Sequence, residues 1–127
     1  MKLLLDTTVL IDVLRKRRQR REFLAEAVRA GHILVTTALN IGELYSGLLP
    51  NEESAAKALL ENIESFDITS DVARLAGSLR NAWSKKGRTL TLADMVVAAA
   101  AIEHGCDLAT DNRKDFPMTE VRLYPLP

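Results

Sequence analysis

Residues 2–14, KLLLDTTVLIDVL, decide how the rest of the chain is read. Lys2 to Leu5 is a short apolar run that reads as a buried strand. From Thr8 to Leu14 the apolar residues recur at helical spacing. A strand apolar on both faces that leads straight into a helix opens a parallel sheet covered by helices, not a hairpin. Asp6 stands at the junction. A carboxylate against so much apolar surface is costly unless something pairs with it.

The same alternation continues outward. Gln19 to Ala30 is an amphipathic helix on Phe23, Leu24, Ala27 and Val28, stopped by Gly31, and Ile33 to Thr36 is a second strand rich in β-branched residues. Helices follow over 38–49, closed by Pro50, and over 52–63. The segment SFDIT (65–69) is a short strand candidate. A helix over 71–86 carries Val72, Leu75, Leu79 and Trp83 on one face and ends at Gly87. Leu92 to His104 is apolar almost all round, which belongs inside a layered fold. CDLAT (106–110) and VRLYP (121–125) supply the last strands. The fold expected is α/β, a three-layer α/β/α sandwich with a central parallel sheet, in one domain spanning 1–127.

Composition narrows the function classes. Hydrophobic residues make up 47% and charged ones 27%, which is globular rather than disordered. The longest unbroken apolar run, Met95 to Ile102, is far below the roughly 20 residues needed to span a bilayer. The start MKLLLD does not read as a signal peptide. A single cysteine, Cys106, excludes an internal disulfide, and with two scattered histidines it leaves no zinc cluster. A reducing cytoplasm fits this usage best, with no membrane partner.

Net charge is zero but unevenly spread. The run Arg15, Lys16, Arg17, Arg18, Gln19, Arg20, Arg21 holds six of the 17 basic residues, leaving a net of −6 on the rest. Such a run is either a solvated face or a contact for RNA phosphates or an acidic partner.

The acids carry the chemistry. In open parallel sheets ligands bind beyond the carboxyl ends of the strands, where Asp6 and Asp111 are expected. Asp6 also suits a helix N-cap. Asp94 stands in TLAD, where Thr91 caps the helix and Asp94 lies three residues on. Asp111, Asn112 and Asp115 in TDNRKDF are also good turn residues. Two carboxylates about 5 Å apart repel by roughly 3 kcal/mol at an effective dielectric near 20. A cluster of them therefore takes up protons or holds a divalent cation. All-oxygen ligation favours Mg²⁺ or Mn²⁺, and such ions suit phosphoryl chemistry. Glu43, off the Ile41, Leu44, Tyr45, Leu48 stripe, reads by periodicity as an ordinary exposed residue.

LLLDTTVLID, TTALNIGELYSGL, TLADMVVAAAAIEHG and LATDNRKDF resemble, in order and spacing, the four acidic motifs of PIN-domain ribonucleases, and most closely those of the VapC toxins of toxin–antitoxin pairs. The resemblance covers almost the whole chain. It implies an Mg²⁺-dependent (Mn²⁺ also serving) endoribonuclease. Asp6, Glu43, Asp94 and Asp111 would be its catalytic and metal-binding acids, with Asp115 as a rival for the fourth place. Thr7 fits the hydroxyl residue beside the first acid, while Thr8 departs from the more usual Asn or Ser. The substrate implied is a single-stranded loop in structured RNA, transfer or ribosomal. The partners implied are a VapB-like antitoxin and a second copy of the chain, with Leu44, Tyr45 and Leu48 open to either core or dimer. The competing classes are weaker. A receiver-like signalling domain needs an Asp after a strand near mid-chain, where NEESAAKALL reads as helix. A haloacid-dehalogenase-like phosphatase needs an Asp at the position of Thr8. A catalytically inactive binding module is the remaining alternative.

Overall fold

The computed structural model describes all 127 residues. Five strands, β1 (Lys2–Leu5), β2 (Ile33–Thr37), β3 (Glu64–Phe66), β4 (Asp107–Ala109) and β5 (Arg122–Leu123), form one sheet in the order β3-β2-β1-β4-β5. Every pairing is parallel. Six helices fill the connections: α1 (Thr7–Leu14), α2 (Arg20–Arg29), α3 (Ala38–Ser46), α4 (Glu53–Leu60), α5 (Ser70–Lys85) and α6 (Leu92–His104). No helix is long and apolar enough to cross a membrane.

β1 shows why the opening residues govern the fold. Leu3, Leu4 and Leu5 are fully buried, and because side chains alternate across a strand they serve both faces. Leu4 joins Val35, Phe66 and Leu108 in a core completed by α5 and α6. Leu3 and Leu5 join Ala109 in a second core with residues from α1, α2, α3 and α4. The expected three-layer sandwich is therefore the one observed. The apolar α6 occupies the position its sequence requires, packed along α5 and buried from Val97 through Ala101. Its alanines let the helix sit close to its neighbours, and Gly105, at φ 64°, ends it in a left-handed turn that a Cβ would strain.

The ends of several elements move inward from their expected limits. α3 stops at Ser46, capped by Gly47, not at Leu49. SFDIT contributes only its first two residues to β3, because Thr69 is needed as the N-cap of α5, its hydroxyl accepting from Val72 N at 3.1 Å. The helix after the basic run begins at Arg20, one residue later than the pattern suggests, because Gln19 is left-handed.

The order of the strands places the site. From β1 the chain moves outward to β2 and β3, then crosses back to β4 and β5 on the other side. The sheet therefore reverses direction beside β1, and the crevice at the carboxyl ends of β1 and β4 is where such folds bind ligands.

The tight packing of α6 has a measurable consequence. Ala98→Leu adds three heavy atoms where none fit and should cost about 2 kcal/mol in urea unfolding. Ala73→Leu on the exposed face of α5 should change stability by less than about 0.5 kcal/mol. Equal stabilities for the two variants would contradict the packing described.

Candidate active site at the carboxyl edge of the sheet

Asp6 follows β1 and is only 6% exposed. It is the N-cap of α1, its Oδ1 accepting from Thr7 N at 2.9 Å. Two further donors converge on it: Asn40 Nδ2 on Oδ1 at 3.2 Å, and the Thr110 hydroxyl on Oδ2 at 2.7 Å. Burial nevertheless raises its pKa above the ordinary value, against the pull of Thr110 and Thr7, and the nearby charge of Glu43 pushes it the same way. No cation pairs with it.

Glu43 lies on the exposed side of α3, as its spacing requires. Yet the Thr7 hydroxyl donates to its Oε1 at 2.7 Å, which brings it to the site. The link runs through Asn40, a fully buried residue of α3. Its Nδ2 donates to Thr7 Oγ1 at 2.9 Å as well as to Asp6, and its Oδ1 accepts from the Thr37 hydroxyl at 2.6 Å. Thr37 in turn caps α3, accepting from Asn40 N at 3.2 Å. Asn40 thus ties the end of β2 to the first acid, to its neighbouring hydroxyl and, through that, to the second acid. Sequence reasoning missed it. The only available signal was an Asn three residues after a Thr cap, at a helical position facing the core.

Asp94 is half-buried in the first turn of α6, where Thr91 Oγ1 accepts from Asp94 N at 3.1 Å. Its carboxyl is also raised, first by burial and then by the charges of Asp6 and Asp115. Asp94 and Asp6 therefore sense each other electrostatically, as does Asp115, which sits in the 3-10 turn Arg113–Asp115 after β4. The local capping described by the sequence is present at both Asp6 and Asp94, and it coexists with this repulsion.

Asp111 sits on a different arrangement. Its Oδ1 lies 2.6 Å from Arg20 Nη2 and 3.0 Å from Arg18 Nη1, while its Oδ2 is buried without a hydrogen-bond partner. Asn112 is exposed, and its backbone N–H donates to Thr110 Oγ1 at 3.0 Å, supporting the residue that holds Asp6.

The basic run proves to be heterogeneous. Arg15 makes a two-pronged pair with Glu52, at 3.1 and 3.2 Å, and reaches Gly47 O. Arg21 Nε donates to Val13 O at 3.0 Å. Arg18 and Arg20 go to Asp111 and Asp12, and only Lys16 and Arg17 have side chains free of ion pairs and hydrogen bonds. Of the apolar residues of α3, Leu44 is core and Tyr45 is 40% exposed.

The donor set available to a ligand is all oxygen: carboxylates of Asp6, Glu43, Asp94, Asp111 and Asp115, with hydroxyls from Thr7 and Thr110. No three of these acids close into a ready-made ligand cluster. Uncompensated buried charge on Asp6 and Asp94, together with the orphaned Oδ2 of Asp111, fits a hard divalent cation and its water.

Comparison with known proteins agrees with this geometry. The PIN domain family profile matches residues 3–120. Ribonuclease VapC19 of Mycobacterium tuberculosis is 32% identical over 115 residues, covering 91% of this chain and 92% of that protein. Ribonuclease VapC10 of the same organism is 30% identical over 118 residues, covering 93% and 88%. Among solved structures, VapBC2 from Rickettsia felis bound to a promoter DNA fragment superposes with a TM-score of 0.87 at 19% identity, covering 98% of both chains. VapBC-1 from nontypeable Haemophilus influenzae gives 0.80 at 24% identity, covering 98% and 97%. A receiver-like domain is thereby set aside. With the fold, the four acidic motifs and these relatives in agreement, the chain belongs to the PIN-domain family and, within it, to the VapC ribonucleases.

Proposed function

We propose that this protein is the endoribonuclease toxin of a toxin–antitoxin pair, dependent on Mg²⁺ or Mn²⁺, and that it hydrolyses phosphodiester bonds in single-stranded loops of transfer or ribosomal RNA. The observation that carries this reading is the junction of Asp6, Thr7 and Glu43 facing Asp94. Two of its carboxylates are raised by burial and by each other's charge, with no protein cation to neutralise them. Asp6 and Asp94 hold the cation, with Glu43 and Asp111 completing its shell directly or through water. When bound, the ion supplies a nucleophile at neutral pH and offsets charge on the phosphate.

The chain's own residues do the rest. Asn40 and Thr110 fix the rotamer of Asp6 from opposite sides, so the carboxylate cannot turn away when charged. Thr7 holds Glu43 inward against its tendency to extend into water. Asp94, rigidly placed by the first turn of α6, faces Asp6 across the crevice. A buried, prearranged acid set loses little reorganisation energy as charge develops on the phosphate oxygens. Of the basic run, Lys16 and Arg17 are the side chains free to meet RNA phosphates or an acidic partner. The likeness to VapBC complexes supports a VapB-like antitoxin as partner, and the exposed Tyr45 and Leu49 support a homodimer through the α3 region. The protein acts in the cytoplasm.

Asp94→Asn should lower Mg²⁺-dependent cleavage of total tRNA by at least about 100-fold with an unchanged circular dichroism spectrum. Chelation of Mg²⁺ should do the same to the wild type. A folded Asp94→Asn protein that cuts at the native rate would refute the assignment.

Asp6 gives a pH test without metal or RNA. Its raised pKa means that the folded state holds the proton more tightly than the unfolded chain. The cost of the buried anion is thus present above the folded pKa and disappears below the unfolded value near 3.9. Asp6→Asn keeps the shape and removes that cost. In chelator, it should melt higher than wild type at pH 7, and the gap should narrow as pH falls toward 4. A variant that melts lower at pH 7, or a gap that widens on acidification, would contradict the burial argument.

A further inference from the structure

The linker between α1 and α2 contains an expense that the functional reading does not use. Lys16, Arg18 and Gln19 all adopt φ near 55°, the left-handed region that side chains disfavour by about 1 kcal/mol each or more. Three such residues within four positions persist only where other contacts dictate the path. Those contacts converge on two aspartates. Arg17 N donates to Asp12 O at 2.8 Å, and Arg20 N to Arg17 O at 3.1 Å. The Arg18 and Arg20 side chains then reach Asp12 Oδ2 at 3.8 and 3.7 Å, and Asp111 Oδ1 at 3.0 and 2.6 Å.

Arg20 is 1% exposed, which is rare for an arginine outside a specific pair. Its Nη2 donates to only one oxygen of Asp111, and the other oxygen, buried, accepts from nothing. A guanidinium that served stability alone would gain most by gripping both carboxylate oxygens. Here one oxygen is locked and the other is left as a free acceptor, in the loop that follows β4 and two residues from the Thr110 peptide flank of Asp6.

We propose that Arg20 is a positioning residue for the fourth acid. It holds Asp111 Oδ1 so that Oδ2 remains aimed and unpaired for a divalent cation or that cation's water. This rests on the metal-dependent reading above, and it gives part of the basic run an internal role. Arg18, 59% exposed and bound to the same oxygen, reinforces the grip from the solvent side.

The test is Mn²⁺ binding by calorimetry to the full chain, with Arg20→Met, Arg20→Lys, Asp111→Asn and the Arg20→Met/Asp111→Asn double variant, each checked for folding. Arg20→Met should weaken Mn²⁺ binding about tenfold or more, the scale on which groups that orient metal ligands act. Arg20→Lys should fall between it and wild type. In the Asp111→Asn background, Arg20→Met should weaken Mn²⁺ binding no further. For total tRNA cleavage, kcat should fall while KM stays within about twofold. If Arg20→Met does not fold, Arg20→Lys decides alone, since a point charge lacks the planar fork that fixes one carboxylate oxygen. Folded variants that bind Mn²⁺ as tightly as wild type would overturn the proposal, as would additive losses in the double variant or a change confined to KM. A wild-type chain that binds no Mn²⁺ overturns it too. One that binds Mn²⁺ as described but leaves RNA intact overturns only the proposed function.

Discussion

The structure depends on one constraint: the carboxylate of Asp6 must stay ionisable at the end of its most buried strand. β1 is central in the sheet and apolar on both faces, so an acid at its end is drawn out of water with it. Desolvation of such a group costs several kcal/mol unless donors replace the lost water. Thr7 N, Asn40 Nδ2 and the Thr110 hydroxyl are those donors, and each comes from a different element end. The carboxyl ends of β1, β2 and β4 are thereby pinned to a single side chain.

This pinning explains the polarity of the surroundings. Thr36, Thr37, Asn40 and Thr110 are almost fully buried in a domain whose interior is otherwise leucine, valine and alanine. Every one of their side chains is hydrogen-bonded, the Thr36 hydroxyl to Leu5 O at 3.0 Å. A polar network at this depth is tolerable only when complete. Its completeness makes it rigid, and rigidity is what an acid set needs if its charges are to face one another without counter-ions from the protein. Apolar layers on both sides supply the stability that this edge gives up.

The layering and the order of elements were legible from periodicity, because buried parallel strands and amphipathic helices write distinct patterns. Asp6 and Asp94 were legible as acids beside apolar runs. Glu43 was not, since its surface position on α3 is real and its approach to the site depends on Thr7, 36 residues away in the chain. Only the resemblance of its motif to a known family singled it out. Asn40 escaped for a similar reason: its three partners lie on α1, at the end of β2 and beyond β1, and no local pattern announces them. The basic run misled in a more instructive way. Consecutive charges signal a solvated face when the backbone is regular. Here three left-handed residues break the register, and Arg20 is turned into the core while Arg17 is not.

The acids of this edge divide according to the source of their counter-charge. Asp12 and Asp111 share Arg18 and Arg20, so their charges are met from within the chain. Asp6, Glu43, Asp94 and Asp115 have no basic partner at all. If all six relied on an external ion, the repulsion among them would be several times the roughly 3 kcal/mol of a single pair about 5 Å apart. Neutralising two internally reduces what a cation must offset, and confines that demand to the acids nearest Asp6. Asp111 belongs to both groups, one oxygen on each side. It is the joint between a part of the edge that is electrostatically closed and a part that is held open for a ligand.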